Sequence, residues 1–136
     1  MLEIYSKNII VTEDGMIPLN TVSLLKGTST QPLGAGSIQF NKCGIYQVTV
    51  SGSVIGSAAG LIEIQLEKDG VAQPQAVSLI SAPDATSNTP FSFTTLIQVP
   101  NNNNTCCPCA QATVISLRNT GIEATYSTID VTIIRI

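Results

Sequence analysis

Apolar and polar residues alternate along most of this chain. In residues 42–54, Tyr46, Val48, Val50 and Val54 fall on one face of an extended backbone, and Gln47, Thr49, Ser51 and Ser53 on the other. A period of two marks a strand with one buried face. Gly44 stands just ahead of the run, where an unusual backbone angle lets a chain enter a sheet from a turn. After Gly56 to Gly60 the pattern resumes, with Ile62, Ile64 and Leu66 set against Glu63, Gln65 and Glu67. This second run ends in Lys68-Asp69-Gly70, and Asp-Gly between alternating runs is a strong hairpin signal. The two runs are expected to pair as the organising hairpin of an antiparallel all-β domain.

Shorter runs flank them. Residues 8–12 predict a first strand closed by the turn Glu13-Asp14-Gly15, and 22–25 a second. Residues 27–36, rich in Thr, Ser, Pro and Gly, predict an exposed connection, and 37–40 another short strand. Residues 76–80 predict an edge strand between the breakers Pro74 and Pro83, followed by a loop over 84–90. Alternation returns over 91–99, a low-complexity loop follows over 101–109, and 112–117 and 124–136 predict the last strands. About eight to ten short strands and no helix point to a sandwich or jelly roll, with residues 1–136 as one domain. The closing run has apolar residues on both faces near its end, Ile133, Ile134 and Ile136 among them. Such a strand is expected at the centre of its sheet, with one face free to meet a neighbouring subunit.

Composition sharpens that expectation. Charged residues make up 11% of the chain, against a usual figure of about 25%, and mean hydropathy is +0.30. No apolar run approaches the roughly 20 residues of a membrane-spanning helix. The charge deficit therefore predicts surface buried between copies in an oligomer. Net charge is −3 and the six basic residues are scattered, which speaks against nucleic-acid binding. The first residues lack a basic segment followed by an apolar stretch, so no secretory signal is read and assembly inside a cell is expected.

Candidate chemistry is sparse. The chain contains no histidine, which removes Ser-His-Asp and Cys-His catalysis and the commonest transition-metal ligand. Glu63 and Glu67 share a strand face, but i and i+4 on a strand lie about 13 Å apart, too far for a glycosidase pair; a solvated face is expected. Glu13 and Asp14 form a turn pair without the further oxygen ligands that calcium needs. Cys106, Cys107 and Cys109 crowd one loop while Cys43 stands alone. Disulfides or inert thiols, links between subunits, and a metal site completed by Cys43 all remain open for them. The segment Asn101, Asn102, Asn103, Asn104 and Thr105 carries an Asn-x-Thr sequon at Asn103 and is the candidate recognition loop. No cofactor is expected, and no enzymatic activity.

The order of the pieces resembles the tumour necrosis factor-like jelly roll, in the branch of the complement globular heads. Phe40-Asn-Lys-Cys-Gly-Ile-Tyr46 is similar to that family's phenylalanine, turn and Gly-x-Tyr strand opening. Ile62-Glu-Ile-Gln-Leu-Glu-Lys-Asp-Gly70 resembles its strand ending in a polar-Asp-Gly hairpin. Residues 93–99 and 112–117 resemble the two apolar strands that follow, and Thr128-Ile-Asp-Val-Thr-Ile-Ile133 its closing strand. The likeness spans roughly residues 20–136. With few aromatics, no Trp and a charge-poor, Thr/Ser/Asn-rich style, the chain resembles bacterial versions more than animal ones: heads of collagen-like exosporium glycoproteins and of phage fibres. The resemblance implies a homotrimer with apolar strand faces around a threefold axis. It also implies a structural or adhesive head on a spore or virion surface, with a fibre or spore-coat protein as partner. A carbohydrate- or receptor-binding module, with a glycan ligand, is the alternative.

Overall fold

The computed structural model describes residues 1–34, 36–100 and 113–136. Eleven strands are present among them: β1 (Leu2–Val11), β2 (Gly15–Met16), β3 (Thr21–Leu25), β4 (Thr30–Pro32), β5 (Ile38–Phe40), β6 (Gly44–Gly56), β7 (Gly60–Lys68), β8 (Val71–Ala82), β9 (Thr89–Val99), β10 (Thr113–Asn119) and β11 (Ala124–Arg135). The described residues contain no helix. Five strands form sheet A in the order β3-β1-β11-β6-β9, and sheet B runs β4-β5-β10-β7-β8 with β2 paired to β10. Every pairing is antiparallel. The two sheets stack as a jelly-roll sandwich, the longer strands contributing their apolar faces to one core.

The period-two pattern explains that core. Tyr46, Val48, Val50 and Val54 of β6 are fully buried, as are Ile64 and Leu66 of β7. They meet Leu2, Ile4, Ile38, Phe40, Ile97, Ile129 and Ile133 in a single cluster. β11 lies between β1 and β6, the central position expected for the closing strand. The Asp69-Gly70 turn joins β7 to β8, with Lys68 opposite Val71. Both turn residues have positive φ, 52° and 82°, which is the type I′ geometry that Asp-Gly favours.

Several expectations are corrected. β6 and β7 do not pair; they lie in different sheets, and their apolar faces meet across the core instead of their edges. β1 begins at Leu2, well before residue 8, with Asn8 (φ 53°) as an irregularity inside it and not its start. Residues 27–36 are not simply exposed: they include β4, with Ser29 and Thr30 buried. Pro74 does not break its strand, because β8 bulges opposite β7 there and the proline sits in the bulge. The Gln65 side chain fills that irregularity, its Nε2 donating to the carbonyls of Gln73 (2.6 Å) and Leu66 (2.9 Å). β8 is an edge strand, as expected.

Candidate functional site

The sequence-predicted site residues fall in three places. Cys43 is buried ahead of β6 and is disulfide-bonded; the other cysteines, Cys106, Cys107 and Cys109, lie outside the described residues, as does the whole segment Asn101–Asn104 with Thr105. Glu63 and Glu67 are on the outward face of sheet B and are not merely solvated. Glu67 accepts from Arg118 Nε at 3.1 Å, and Glu63 Oε1 accepts from the Thr120 hydroxyl at 2.8 Å. Asp14 sits in the β1–β2 turn, where its carbonyl accepts from Arg118 at 2.6 Å. Among the described residues no group of three or more His, Cys, Asp and Glu side chains could hold a metal ion. No helix of the described residues is long and apolar enough to cross a membrane.

What the fold does bring together is the outward face of sheet A. Register sets it out in rows. Leu24, Glu3, Thr132, Thr49 and Thr94 lie side by side across all five strands, and Tyr5, Asp130, Ser51 and Ser92 form the next row. Lys7, Thr128, Ser53 and Pro90 follow toward one end of the sheet. Toward the other end Ile134, Gln47 and Leu96 are aligned, and beyond them Ile45 stands opposite Gln98, with the Ile136 amide bonded to the Ile45 carbonyl at 2.8 Å. Ile45, Leu96, Ile134 and Ile136 are all exposed there, Leu96 by 58% and Ile136 by 72%, and Leu24 is exposed at the β3 end of the Glu3 row.

This face is therefore not apolar throughout, as the tumour necrosis factor-like resemblance implied, but only toward the end where the closing strand is apolar on both sides. Its middle sets Ser and Thr hydroxyls beside Glu3, Tyr5, Lys7 and Asp130, and most of its exposed apolar side chains gather at one end. The Thr49 and Thr94 hydroxyls lie 3.2 Å apart, and those of Ser53 and Thr128 3.4 Å apart.

Charge on these rows comes from two acids, Glu3 and Asp130, and from Lys7. Glu3 and Asp130 occupy adjacent strands on a diagonal, Glu3 opposite Thr132 and Asp130 opposite Tyr5. Partial burial, and then the neighbouring Glu3 carboxylate, lift the Asp130 carboxyl above its ordinary value, while a hydrogen bond from Thr132 opposes the rise. Sequence reading missed this pair because the two residues lie near opposite ends of the chain. Only the β1–β11 register joins them, and β1 was not expected to begin so early. The buried Tyr126 phenol is also pushed up by desolvation, but it faces the core, against Phe91, and not this surface.

No family model and no curated protein matches the chain. Solved structures do. Murine APRIL superposes with a TM-score of 0.67 at 10% identity, over 99% of this chain and 98% of that one. The Eiger TNF of S. frugiperda gives 0.61 at 12% identity, over 96% and 90%. The fold is the tumour necrosis factor-like jelly roll. The PRD1 vertex protein P5 is similar over 99% of this chain and 95% of its own, with a TM-score of 0.56 at 15% identity. At these identities the tumour necrosis factor-like likeness is one of architecture, and function has to be argued from surfaces.

Proposed function

We propose that this chain is a non-enzymatic structural head that assembles with copies of itself, three to a unit, through the outward face of sheet A. The observation that carries this reading is the exposed apolar group Ile45, Leu96, Ile134 and Ile136 at one end of a sheet face whose middle is largely polar. A chain with 11% charged residues has little means of keeping such a face solvated, and self-association removes it from water. Burial of apolar area at about 25 cal/mol per Å2 supplies the drive. Threefold assembly is what the tumour necrosis factor-like resemblance implies.

The head belongs, in this reading, to the surface of a particle: a phage fibre or vertex, or a spore coat. The fold likeness to a vertex protein supports the first, and the Thr/Ser/Asn-rich, charge-poor composition suits either. A fibre or coat protein would be the attachment partner. The reading is tested by the mass of the purified chain in solution, with and without reductant. Three times the 14.3 kDa chain mass in both conditions supports it. A particle at the chain mass contradicts it, and a trimer present only without reductant would make cysteine links, and not the sheet face, the assembly device.

A further inference from the structure

The topology sorts charged side chains that are scattered in the sequence to opposite ends of the sandwich. β6 spans its length, 13 residues from Gly44 to Gly56, which at about 3.3 Å per residue sets the two ends about 40 Å apart. Lys26, Lys42, Lys68 and Arg135, four of the six basic residues, all come to the Gly44 end. Contacts join them into one belt. The Asn41 amide and Nδ2 donate to the Ser29 and Thr28 carbonyls at 2.8 and 3.3 Å, which holds Lys42 beside the segment that follows Lys26. The Arg135 guanidinium donates to the Cys43 carbonyl at 2.6 Å. Lys68 Nζ donates at 2.8 Å to the carbonyl of Gln98, the residue paired with Ile45. These acceptors are neutral, and none of the four cations enters an ion pair among the described residues. Asp69, the acidic side chain of this end, turns its Oδ1 to the Val114 amide at 2.9 Å.

The Gly56 end is the reverse. Glu13 and Asp14 lie in the β1–β2 turn, Asp84 in the β8–β9 loop and Glu123 in the β10–β11 turn, all exposed. Asn119 Nδ2 ties the first of these turns to the last through the Thr12 and Ile122 carbonyls, and the Ser57 amide donates to the Glu123 carbonyl at 3.0 Å. Glu63 adds a further carboxylate beside the Thr120 hydroxyl. Arg118, which borders this end, is committed to Glu67 and to the Asp14 carbonyl. Residues 35 and 101–112 contain no charged side chain, so the separation holds for the whole chain.

We propose that these ends form a second, salt-controlled contact, in which the basic end of one head seats on the acidic end of another copy and heads stack end to end. The contact goes beyond the sheet A reading, which uses the outward sheet face and not the loops at its ends. A second copy is the occupant the charges specify, because every copy carries the complementary surface. Approach in this orientation sets opposite potentials face to face, whereas like ends repel. Different surfaces meet on the two partners, so the contact does not close on itself and extends into a row. Both surfaces are exposed, and their attraction is screened over about 30 Å at 0.01 M salt, about 8 Å at 0.15 M and about 3 Å at 1 M. Stacks are therefore expected in dilute salt and single units at ordinary ionic strength.

The test is the mass of the particle by sedimentation at neutral pH, in about 0.01 M and about 1 M sodium chloride. Three proteins are compared: the unaltered chain, Lys26→Glu with Lys42→Glu, and Glu13→Lys with Glu123→Lys. All four side chains are exposed, and circular dichroism checks that each variant is folded. The unaltered chain is expected to be at least about twofold heavier in dilute than in concentrated salt. Each double variant alone is expected to lose that increase. Mixed in equal amounts in dilute salt, the two variants are expected to form complexes of two units and no larger. The first retains the acidic end and the second the basic one, so one pairing remains. An unaltered chain of equal mass in both salts overturns the stacking, as do variants that stack like the original or a mixture that does not associate. The sheet A reading is judged apart from these, by the mass in concentrated salt, where burial of apolar surface is not screened. A particle at the chain mass there contradicts that reading alone, and growth in dilute salt would still support the end contact.

Discussion

The Tyr46 hydroxyl donates to the Lys42 carbonyl oxygen at 2.7 Å, and its ring lies 4.4 Å, centroid to centroid, from that of Phe40. One side chain thus anchors the entry to β6 and fills the core between the sheets. Tyr46→Phe removes only the hydroxyl and is expected to cost about 1 kcal/mol. Tyr46→Ala also opens a cavity and should cost about 3–5 kcal/mol. Urea unfolding at neutral pH separates the two, and equal effects would contradict the packing described.

That entry was legible in the sequence because local pattern and tertiary role agree: Gly44, with φ of 141°, opens a run whose inward positions are all apolar. Where they disagree, sequence reading faltered. The first half of β1 was hidden by Ser6, which occupies a buried, inward position and is satisfied by donating to the Pro18 carbonyl and accepting from the Asn20 amide. β4 was hidden in the same way by the buried Thr30, and the course of β8 by a proline that a bulge accommodates. The apolar end of the candidate face showed itself in the two-sided run at Ile133 and Ile134. Its Glu3–Asp130 pair did not, since strand register is a long-range property that no local pattern encodes.

Gly52 tests the crossing of β6 and β11 at a bulge, where the pairing register shifts between Tyr126 and Thr128. A Cβ at Gly52 would run into the Thr128 carbonyl oxygen, which is backbone and cannot swing aside. Gly52→Ala is expected to destabilise by about 1–3 kcal/mol or more. Gly70→Ala has open space around it but a left-handed backbone, so it should cost less, about 1 kcal/mol. Thermal unfolding of both variants gives the order.

Asn119 is fully buried at the end of β10, and its Nδ2 donates to the carbonyls of Ile122 (2.9 Å), Val11 (3.2 Å) and Thr12 (3.4 Å). It ties the end of β1 to the β10–β11 turn. Asn119→Ala leaves those acceptors without their shared donor and is expected to cost about 2–4 kcal/mol. A loss within error would mean that these carbonyls find other partners.

Two aspartates should titrate in opposite directions. Asp84 is held down to about 2 by the Thr86 amide and hydroxyl and the Ser87 amide, all within 2.9 Å. Its contribution to folding is present above the unfolded-state value and is lost as pH falls through about 2. Asp130 is raised, so its contribution is fully present below the unfolded-state value and is lost as pH rises through the folded one. Asp130→Asn should therefore make the chain more stable than the original at neutral pH and no more stable in acid. Carboxyl-detected NMR titration gives the order of the two groups, and urea unfolding at both pH values gives the stability change. An Asp130 that titrates at or below its ordinary value would remove the basis for that change.

If copies meet through the outward face of sheet A, a charge placed on that face alone should take the assembly apart. Leu96 on that face and Leu79 on the outward side of sheet B are almost equally exposed, 58% and 60%, so a charge placed at either perturbs the lone chain alike. The decisive measurement is light scattering after size exclusion on Leu96→Glu and Leu79→Glu beside the unaltered chain. Leu96→Glu is expected to fall to the 14.3 kDa chain mass while the unaltered chain and Leu79→Glu stay at three times it. A Leu96→Glu chain that remains assembled, or a Leu79→Glu chain that comes apart instead, would contradict it.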